Sequence, residues 1–264
     1  MTSSQEIEFA VVIPAYNEAA TIRGVVTRTL RYAGRVIVVD DGSIDGTSAA
    51  LEGLPVTLLA HERNQGKAAS LWRGMAHALS LGVDAVVTLD ADGQHDPADI
   101  PRLVSAARRS PGSIVIGARL ADKVKIPPLR YFANRFANFW IAWAAGYPIE
   151  DSQSGFRVYP VSLLQRVRVP HGPTKGFVFE SEILIAASRL GYESVPVRVA
   201  AIYPPEGRPS HFRQFVDVER IVRMVTLKLL ARGLHPLGLL RSLRRRPPLL
   251  DDEDAEERAS AYKS

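Results

Sequence analysis

The stretch Ala85-Val86-Val87-Thr88-Leu89-Asp90-Ala91-Asp92-Gly93-Gln94 holds the most informative transition in this chain. An apolar, β-branched run stops at two carboxylates spaced i, i+2, and glycine follows. Paired acids at the end of a buried strand add nothing to a core. They are well suited to a hard divalent cation, which takes one or two carboxylates and fills its shell with water and phosphate oxygens. Asp-x-Asp also arises often by chance, and a solvated turn is the competing reading. The surrounding sequence bears on the choice.

Similar apolar runs occur at Phe9–Ile13, Arg35–Val39, Val56–Leu59 and Ser113–Ile116. They are nearly continuous rather than alternating, as in strands buried on both faces. Helical patterns lie between them, at about Glu18–Tyr32, Gly46–Gly53, Gly66–Leu81 and Pro97–Arg109, with Asp96 placed as an N-cap before Pro97. Strand–helix alternation predicts an α/β fold with a mainly parallel sheet covered on both faces. Ligands of such sheets sit beyond the carboxyl ends of the strands. Three strands end there in polar clusters: Pro14-Ala-Tyr-Asn-Glu18, Asp40-Asp-Gly-Ser43 and Asp90-Ala-Asp92. Val178–Arg189 reads as a further helix stopped by Gly191, and Val195–Ile202 as a strand.

At 264 residues with 46% hydrophobic composition, the chain can bury a sizeable core. It contains no cysteine, which excludes disulfides and thiolate metal sites. The N-terminus carries acids and lacks an apolar segment of the secretory kind. The uncharged run from Phe136 to Ile149 is too short to span a bilayer, which takes roughly 18–20 residues. The region 123–143 contains a helix on which Phe132, Phe136, Phe139 and Trp143 share one face and Arg130, Asn134 and Asn138 another. The aromatic face suits either the core or lipid; the polar face suits a phosphate. Residues 211–246 form a basic amphipathic segment that suits either a membrane interface or packing on the domain. Residues 247–264 are expected to be a disordered acidic tail. A basic block beside an acidic tail points to an anionic surface as partner or to self-shielding.

The dinucleotide glycine fingerprint is missing after the first strand, and Gly66-Lys67 lacks the rest of a phosphate-binding P-loop. Asn64-Gln-Gly66-Lys67 does open a helix, and a helix N-terminus with a nearby Lys favours an anion. Arg119, just after a strand, is a second candidate anion ligand. Aromatics are not interleaved with the C-terminal basic residues, so a nucleic-acid-binding module is not expected.

The motifs Val12-Ile-Pro-Ala-Tyr-Asn-Glu18, Val38-Val-Asp-Asp-Gly-Ser43, Asn64-Gln-Gly-Lys67, Asp90-Ala-Asp-Gly-Gln94 and Asp151-Ser-Gln-Ser-Gly-Phe-Arg157 occur in the order found in family 2 glycosyltransferases of the GT-A fold, which the chain resembles from residue 8 to about 202. Within that family it most resembles the dolichyl- and polyprenyl-phosphate sugar synthases. The resemblance implies a catalytic domain over 1–210 that transfers a sugar with inversion from a UDP- or GDP-sugar to a polyprenyl phosphate or other lipid-linked acceptor. Pro14, Tyr16, Glu18, Asp41, Lys67 and Asp90 would border the nucleotide. Asp90, Asp92 and Gln94 would hold Mg2+ or Mn2+ on the donor diphosphate, where the ion acts as Lewis acid for the departing group. Arg119, Arg130 and Asn134 would face the acceptor phosphate, with Arg157, Arg208 and His211 also on the acceptor side. Asp151 is the base if the acceptor is a hydroxyl; a phosphate acceptor needs none. The branch commonly ends its domain in an Arg…Gly…Ser-Lys pattern. Here Tyr203-Pro-Pro-Glu-Gly-Arg-Pro-Ser-His-Phe212 has His211 in place of Lys and a displaced Arg208. The expected location is the cytoplasmic face of a membrane, bound peripherally.

Overall fold

The structure, a computed structural model, describes residues 7–119, 128–170, 178–200, 202 and 214–244, with only the backbone for 128–133 and 214–220. The acceptor candidates Arg208 and His211 and the tail 247–264 lie outside the described residues, as does the Arg130 side chain.

Seven strands form one sheet: β1 (Phe9–Ala15), β2 (Val36–Asp40), β3 (Thr57–Ala60), β4 (Ala85–Thr88), β5 (Ile114–Ala118), β6 (Arg157–Pro160) and β7 (Ser194–Arg198), in the order β3-β2-β1-β4-β6-β5-β7. All run parallel except β6, which is inserted antiparallel between β4 and β5. Along β1, Ala10 and Val12 enter one core while Val11, Ile13 and Ala15 enter the other, all essentially inaccessible. Two apolar faces are why β1, β2, β4 and β5 read as unbroken hydrophobic runs; β3 read the same way, but as the edge strand it is largely exposed. Burial of each Val or Ile is worth about 1.5–3 kcal/mol.

Helices α1 (Ile22–Thr29), α2 (Lys67–Ser80), α3 (Ile100–Arg109), α4 (Pro128–Ala145), α5 (Val161–Leu164), α6 (Phe179–Ser188), α7 (Gln214–Leu230) and α8 (Pro236–Ser242) complete the described structure. Asp96 caps the 3-10 turn Pro97–Asp99 that leads into α3, its side chain accepting from the Ala98 amide at 3.1 Å. Two sequence expectations change. Gly46–Gly53 contains only the 3-10 turn Ala49–Leu51. Strand β6 is absent from the sequence reading, since Arg157-Val-Tyr-Pro160 has neither an apolar run nor alternation and is held by strands on both sides.

Because β1, β2 and β4 are parallel, their carboxyl ends share one edge: Ala15 is in register with Asp40, and the Leu89 amide donates to Val12 O at 3.1 Å. The three acid-bearing turns meet along this edge.

Candidate active site

Asp90 and Asp92 follow β4 directly. The Asp92 carboxylate accepts from the Gln94 amide at 2.9 Å, which closes a tight turn around Gly93, φ +75°. Lys67, the first residue of α2, places its Nζ 2.7 Å from Asp90 Oδ1 and 2.7 Å from Glu180 Oε1 on α6. The amine expected to meet a phosphate is thus engaged by two carboxylates. Burial opposes its charge, but Asp90 and Glu180 outweigh burial and hold its pKa above the usual lysine value. Burial likewise opposes ionisation of Asp90, yet Lys67, then His95 and Arg119, hold its pKa below the ordinary range. Asp92 moves the other way, because burial and the neighbouring Asp90 charge both disfavour its ionised form. An added cation would relieve that repulsion.

Lys67 is delivered by the turn before α2, and Asp41 builds that turn. Its buried carboxylate accepts from the amides of Gln65 and Gly66 at 2.9 and 2.8 Å and contacts His61 Nδ1 at 2.8 Å. Gly42 has φ +75°, and a Cβ there would sit 2.6 Å from the Arg63 carbonyl carbon, so the turn can pass only over glycine. Asp41 therefore fixes the 61–67 turn. The turns after β1 and β2 are joined as well. The Asn17 amide donates to Ser43 Oγ at 2.9 Å and the Glu18 amide to Thr47 Oγ1 at 2.8 Å. Pro14 is buried at the end of β1; Tyr16 and Glu18 are half-buried beyond it.

On the other side, Asp151 is 1% exposed. Its Oδ1 accepts from the amides of Gln153 and Ser154 at 3.3 and 3.1 Å. Its Oδ2 accepts from the Arg119 amide and Nε at 3.2 and 3.4 Å. Arg157 is fully buried, donating to Ser154 O at 2.7 Å, Ser152 O at 2.8 Å and Glu180 O at 2.6 Å. Arg157, expected from the resemblance to stabilise the acceptor loop, ties the 152–154 loop to the start of α6 from beneath. Asn138 is a correction. It faces inward, accepting from the Ser152 amide and donating to Glu150 O, so it anchors the acidic loop to α4 and does not share a phosphate-facing surface with Asn134. Asn134 is half-buried one turn earlier. The chain leaving β7 returns to the Asp90–Gln94 turn, where the Ile202 amide donates to Gln94 O at 3.1 Å.

The sequence reading missed Glu180 and Glu182. Both are 4% exposed in the first turn of α6, and Glu182 pairs with Lys228 of α7 at 3.0 Å. The signal was present: two acids spaced i, i+2 interrupt the apolar run Phe177-Val-Phe-Glu-Ser-Glu-Ile-Leu-Ile185, as Asp90 and Asp92 end another. His95 was also missed. It is 1% exposed, packs 5.4 Å from the Phe156 ring, and neither ring nitrogen has a hydrogen-bond partner. Burial, then Arg119, push its pKa down to about 4 from 6.5. A depressed histidine contributes stability that is complete above the unfolded value and is lost as pH falls from 6.5 toward 4. That contribution is capped at about 3 kcal/mol. Urea unfolding should therefore show a steeper stability loss between pH 7 and pH 4 in the wild type than in His95→Leu. Equal slopes would refute the assignment.

Residues 10–168 match the family model described as Glycosyl transferase family 2. The undecaprenyl-phosphate mannosyltransferase of Micrococcus luteus is 30% identical over 86% of this chain and 98% of its own length. The UDP-N-acetylglucosamine–dolichyl-phosphate N-acetylglucosaminyltransferase of Methanococcus voltae is 29% identical over 83% of this chain and 95% of its own. Among solved structures, glucosyl-3-phosphoglycerate synthase from Mycobacterium tuberculosis, in complex with Mn2+, UDP and glucosyl-3-phosphoglycerate, superposes with a TM-score of 0.59 at 24% identity, covering 86% of this chain and 80% of that one, which establishes a shared GT-A fold. The acid-ended parallel strands, the family match and these relatives agree: the chain is a glycosyltransferase and belongs to glycosyl transferase family 2.

Proposed function

We propose that this enzyme transfers a sugar, with inversion, from a nucleotide-sugar to a polyprenyl phosphate, using Mg2+ or Mn2+, at the cytoplasmic face of a membrane. The observation that carries the acceptor assignment is the state of Asp151. A carboxylate offers about four lone-pair sites, and all four of its sites are used by Gln153, Ser154 and Arg119. A base at that position would have to give up its loop before taking a proton. A phosphate monoester is already anionic at neutral pH and needs no base. The names of the relatives from Micrococcus luteus and Methanococcus voltae support the same acceptor class.

The residues fit a divalent ion. Of the charged side chains that converge here, the carboxylates Asp90, Asp92, Asp151 and Glu180 outnumber the cations Lys67, Arg119 and Arg157 by one. Among the described residues no three His, Cys, Asp or Glu side chains form a cage of their own. Asp90, Asp92 and Gln94 would therefore share the ion with diphosphate oxygens, the usual arrangement for magnesium. When bound, the ion supplies Lewis acidity to the departing nucleoside diphosphate. Pro14, Tyr16 and Glu18 shape the nucleotide side, and Asp41 sets the height of Lys67. Arg119, with Arg130 and Asn134 on α4, orients the acceptor phosphate. One phosphate oxygen bonds to the anomeric carbon as the bond to the nucleoside diphosphate breaks on the opposite face.

The test is transfer from UDP- and GDP-sugars to a short-chain prenyl phosphate with each metal. Asp92→Asn should lower turnover on the order of a hundredfold or more. Asp151→Asn, whose amide nitrogen cannot accept and so gives up two of the four loop bonds, should lower transfer by about tenfold and by the same factor across pH, since no proton is removed. Wild-type turnover in Asp92→Asn, or abolition by Asp151→Asn in a folded protein, would overturn the mechanism.

A further inference from the structure

Helix α4 turns its aromatic residues outward. Asn138, Ile141, Ala142 and Ala145 face the core, while Phe136 and Phe139 are 59% and 39% exposed. Their rings continue into Trp140 and Trp143 as one ladder, with centroids 6.0 Å apart for Phe136–Trp140, 5.5 Å for Phe139–Trp140 and 5.2 Å for Trp140–Trp143. The ladder joins the α7–α8 turn, where Trp143 Nε1 donates to Leu234 O at 2.9 Å and Arg232 Nη1 to Ala144 O at 3.2 Å. Beyond that turn α8 buries Gly238 against the His235 ring, a fit that no side chain at 238 would allow. With its narrow face inward, α8 and the residue after it leave Leu237, Leu240 and Leu243 at 63–66% exposure. On α7, which also packs on α4, Leu227 and Leu230 are 57% and 60% exposed. Exposed leucines scattered singly need no explanation; a joined apolar surface of this kind marks a docking face.

Its rim is cationic. Between Ile221 and Arg244 there is no acidic residue, and Arg223, Arg232, Arg241 and Arg244 are all exposed. Burial, then Arg232, Arg241 and Arg189, hold the His235 pKa below its ordinary value, as a positive local field requires. A second copy of the chain docked face to face would oppose arginine to arginine. No helix among the described residues is long and apolar enough to cross a membrane. A leucine- and tryptophan-bearing surface ringed by arginine matches the acyl–headgroup boundary, where apolar area and attraction to anionic headgroups add.

We propose that the α4–α8 face seats the enzyme in the interface of an anionic lipid bilayer. The proposal deepens the lipid-acceptor reading, but its test stands apart from that reading. The full chain is sedimented with vesicles of phosphatidylcholine alone and with vesicles containing phosphatidylglycerol. Wild type should pellet with the anionic vesicles and stay largely in solution with the neutral ones. Leu237→Asp with Leu240→Asp should weaken binding roughly tenfold or more. Arg241→Glu with Arg244→Glu should weaken it to a similar degree, about tenfold, on the anionic vesicles only. Both pairs should melt like wild type and keep transfer to a short-chain prenyl phosphate in solution. Binding without any such transfer would refute the acceptor reading and leave the docking face intact. Wild type left in the supernatant would overturn the docking face, as occlusion by the acidic stretch Asp251–Glu257 would produce. So would a leucine pair that pellets like wild type, or a wild-type dimer that the leucine pair dissociates.

Discussion

Gly155→Ala should lower sugar transfer about a hundredfold while the protein stays folded. Gly155 has an ordinary backbone conformation, so the requirement for glycine is one of space alone. A Cβ there would sit 2.6 Å from Asp90 Oδ2 and 2.9 Å from Asp90 Oδ1, well inside contact distance. The Gly155 carbonyl cannot easily retreat, since Thr88 Oγ1 donates to it at 2.7 Å. The Asp90 carboxylate is pinned in turn by Lys67 at 2.7 Å. Something must shift, and whatever shifts is attached to the carboxylate pair. A displacement approaching about 1 Å at a reacting constellation costs on the order of a hundredfold. The metal concentration for half-maximal rate should rise together with the loss in kcat. Gly24→Ala is the matched control, because a Cβ there meets nothing within 4 Å. A Gly155→Ala enzyme within twofold of wild type would show that Asp90 need not hold this position.

Arg157→Met should be the most destabilising of these substitutions, at about 3–5 kcal/mol. The side chain is inaccessible and gives its donors to the carbonyls of Ser152, Ser154 and Glu180, with a longer contact to Tyr159 Oη at 3.3 Å. Methionine keeps much of the volume and none of the donors. Three buried carbonyls would lose their partners, at about 1–3 kcal/mol each before relaxation and water entry reduce the sum. Lysine should fail as well, because one ammonium cannot reproduce the planar spread of a guanidinium. For a protein of this size the loss corresponds to a Tm lowered by roughly 8–15 °C. Thermal unfolding followed by circular dichroism measures it. A Tm within about 2 °C of wild type would mean that the loop and α6 hold together without the arginine.

These substitutions bear on a linkage between distant segments. Lys67 joins Asp90 to Glu180, Arg157 joins Glu180 to the Asp151 loop, and Glu182 joins the same helix turn to Lys228 of α7. The first turn of α6 is therefore the hub through which the Asp90–Gln94 turn, the 151–154 loop and α7 are held in common register.

The acid-bearing edge of the sheet was legible in the chain itself. Strands buried on both faces must be apolar throughout, so β1, β2 and β4 stand out as runs, and the acids that end them mark the edge where a parallel sheet receives ligands. That information is local, and the motif order added the family. The rest was not local. Helical periodicity places Phe136, Phe139 and Trp143 on one face of α4 but does not say on which side the water lies. Packing of α4 through Asn138, Ile141 and Ala145 turned the aromatics outward. Arg157 and Asp151 have the composition of ligands, yet burial made one a staple and the other a saturated loop acceptor. Glu180 meets Lys67 only because α6 is brought against the end of β4, a pairing of distant segments that no sequence spacing encodes. The sequence alone determined the strands and the acids at their ends, because burial on both faces and a chain break at one edge each leave a local mark. Tertiary structure decided which charges face each other and which apolar face meets the solvent, because those depend on how separate elements close on one another.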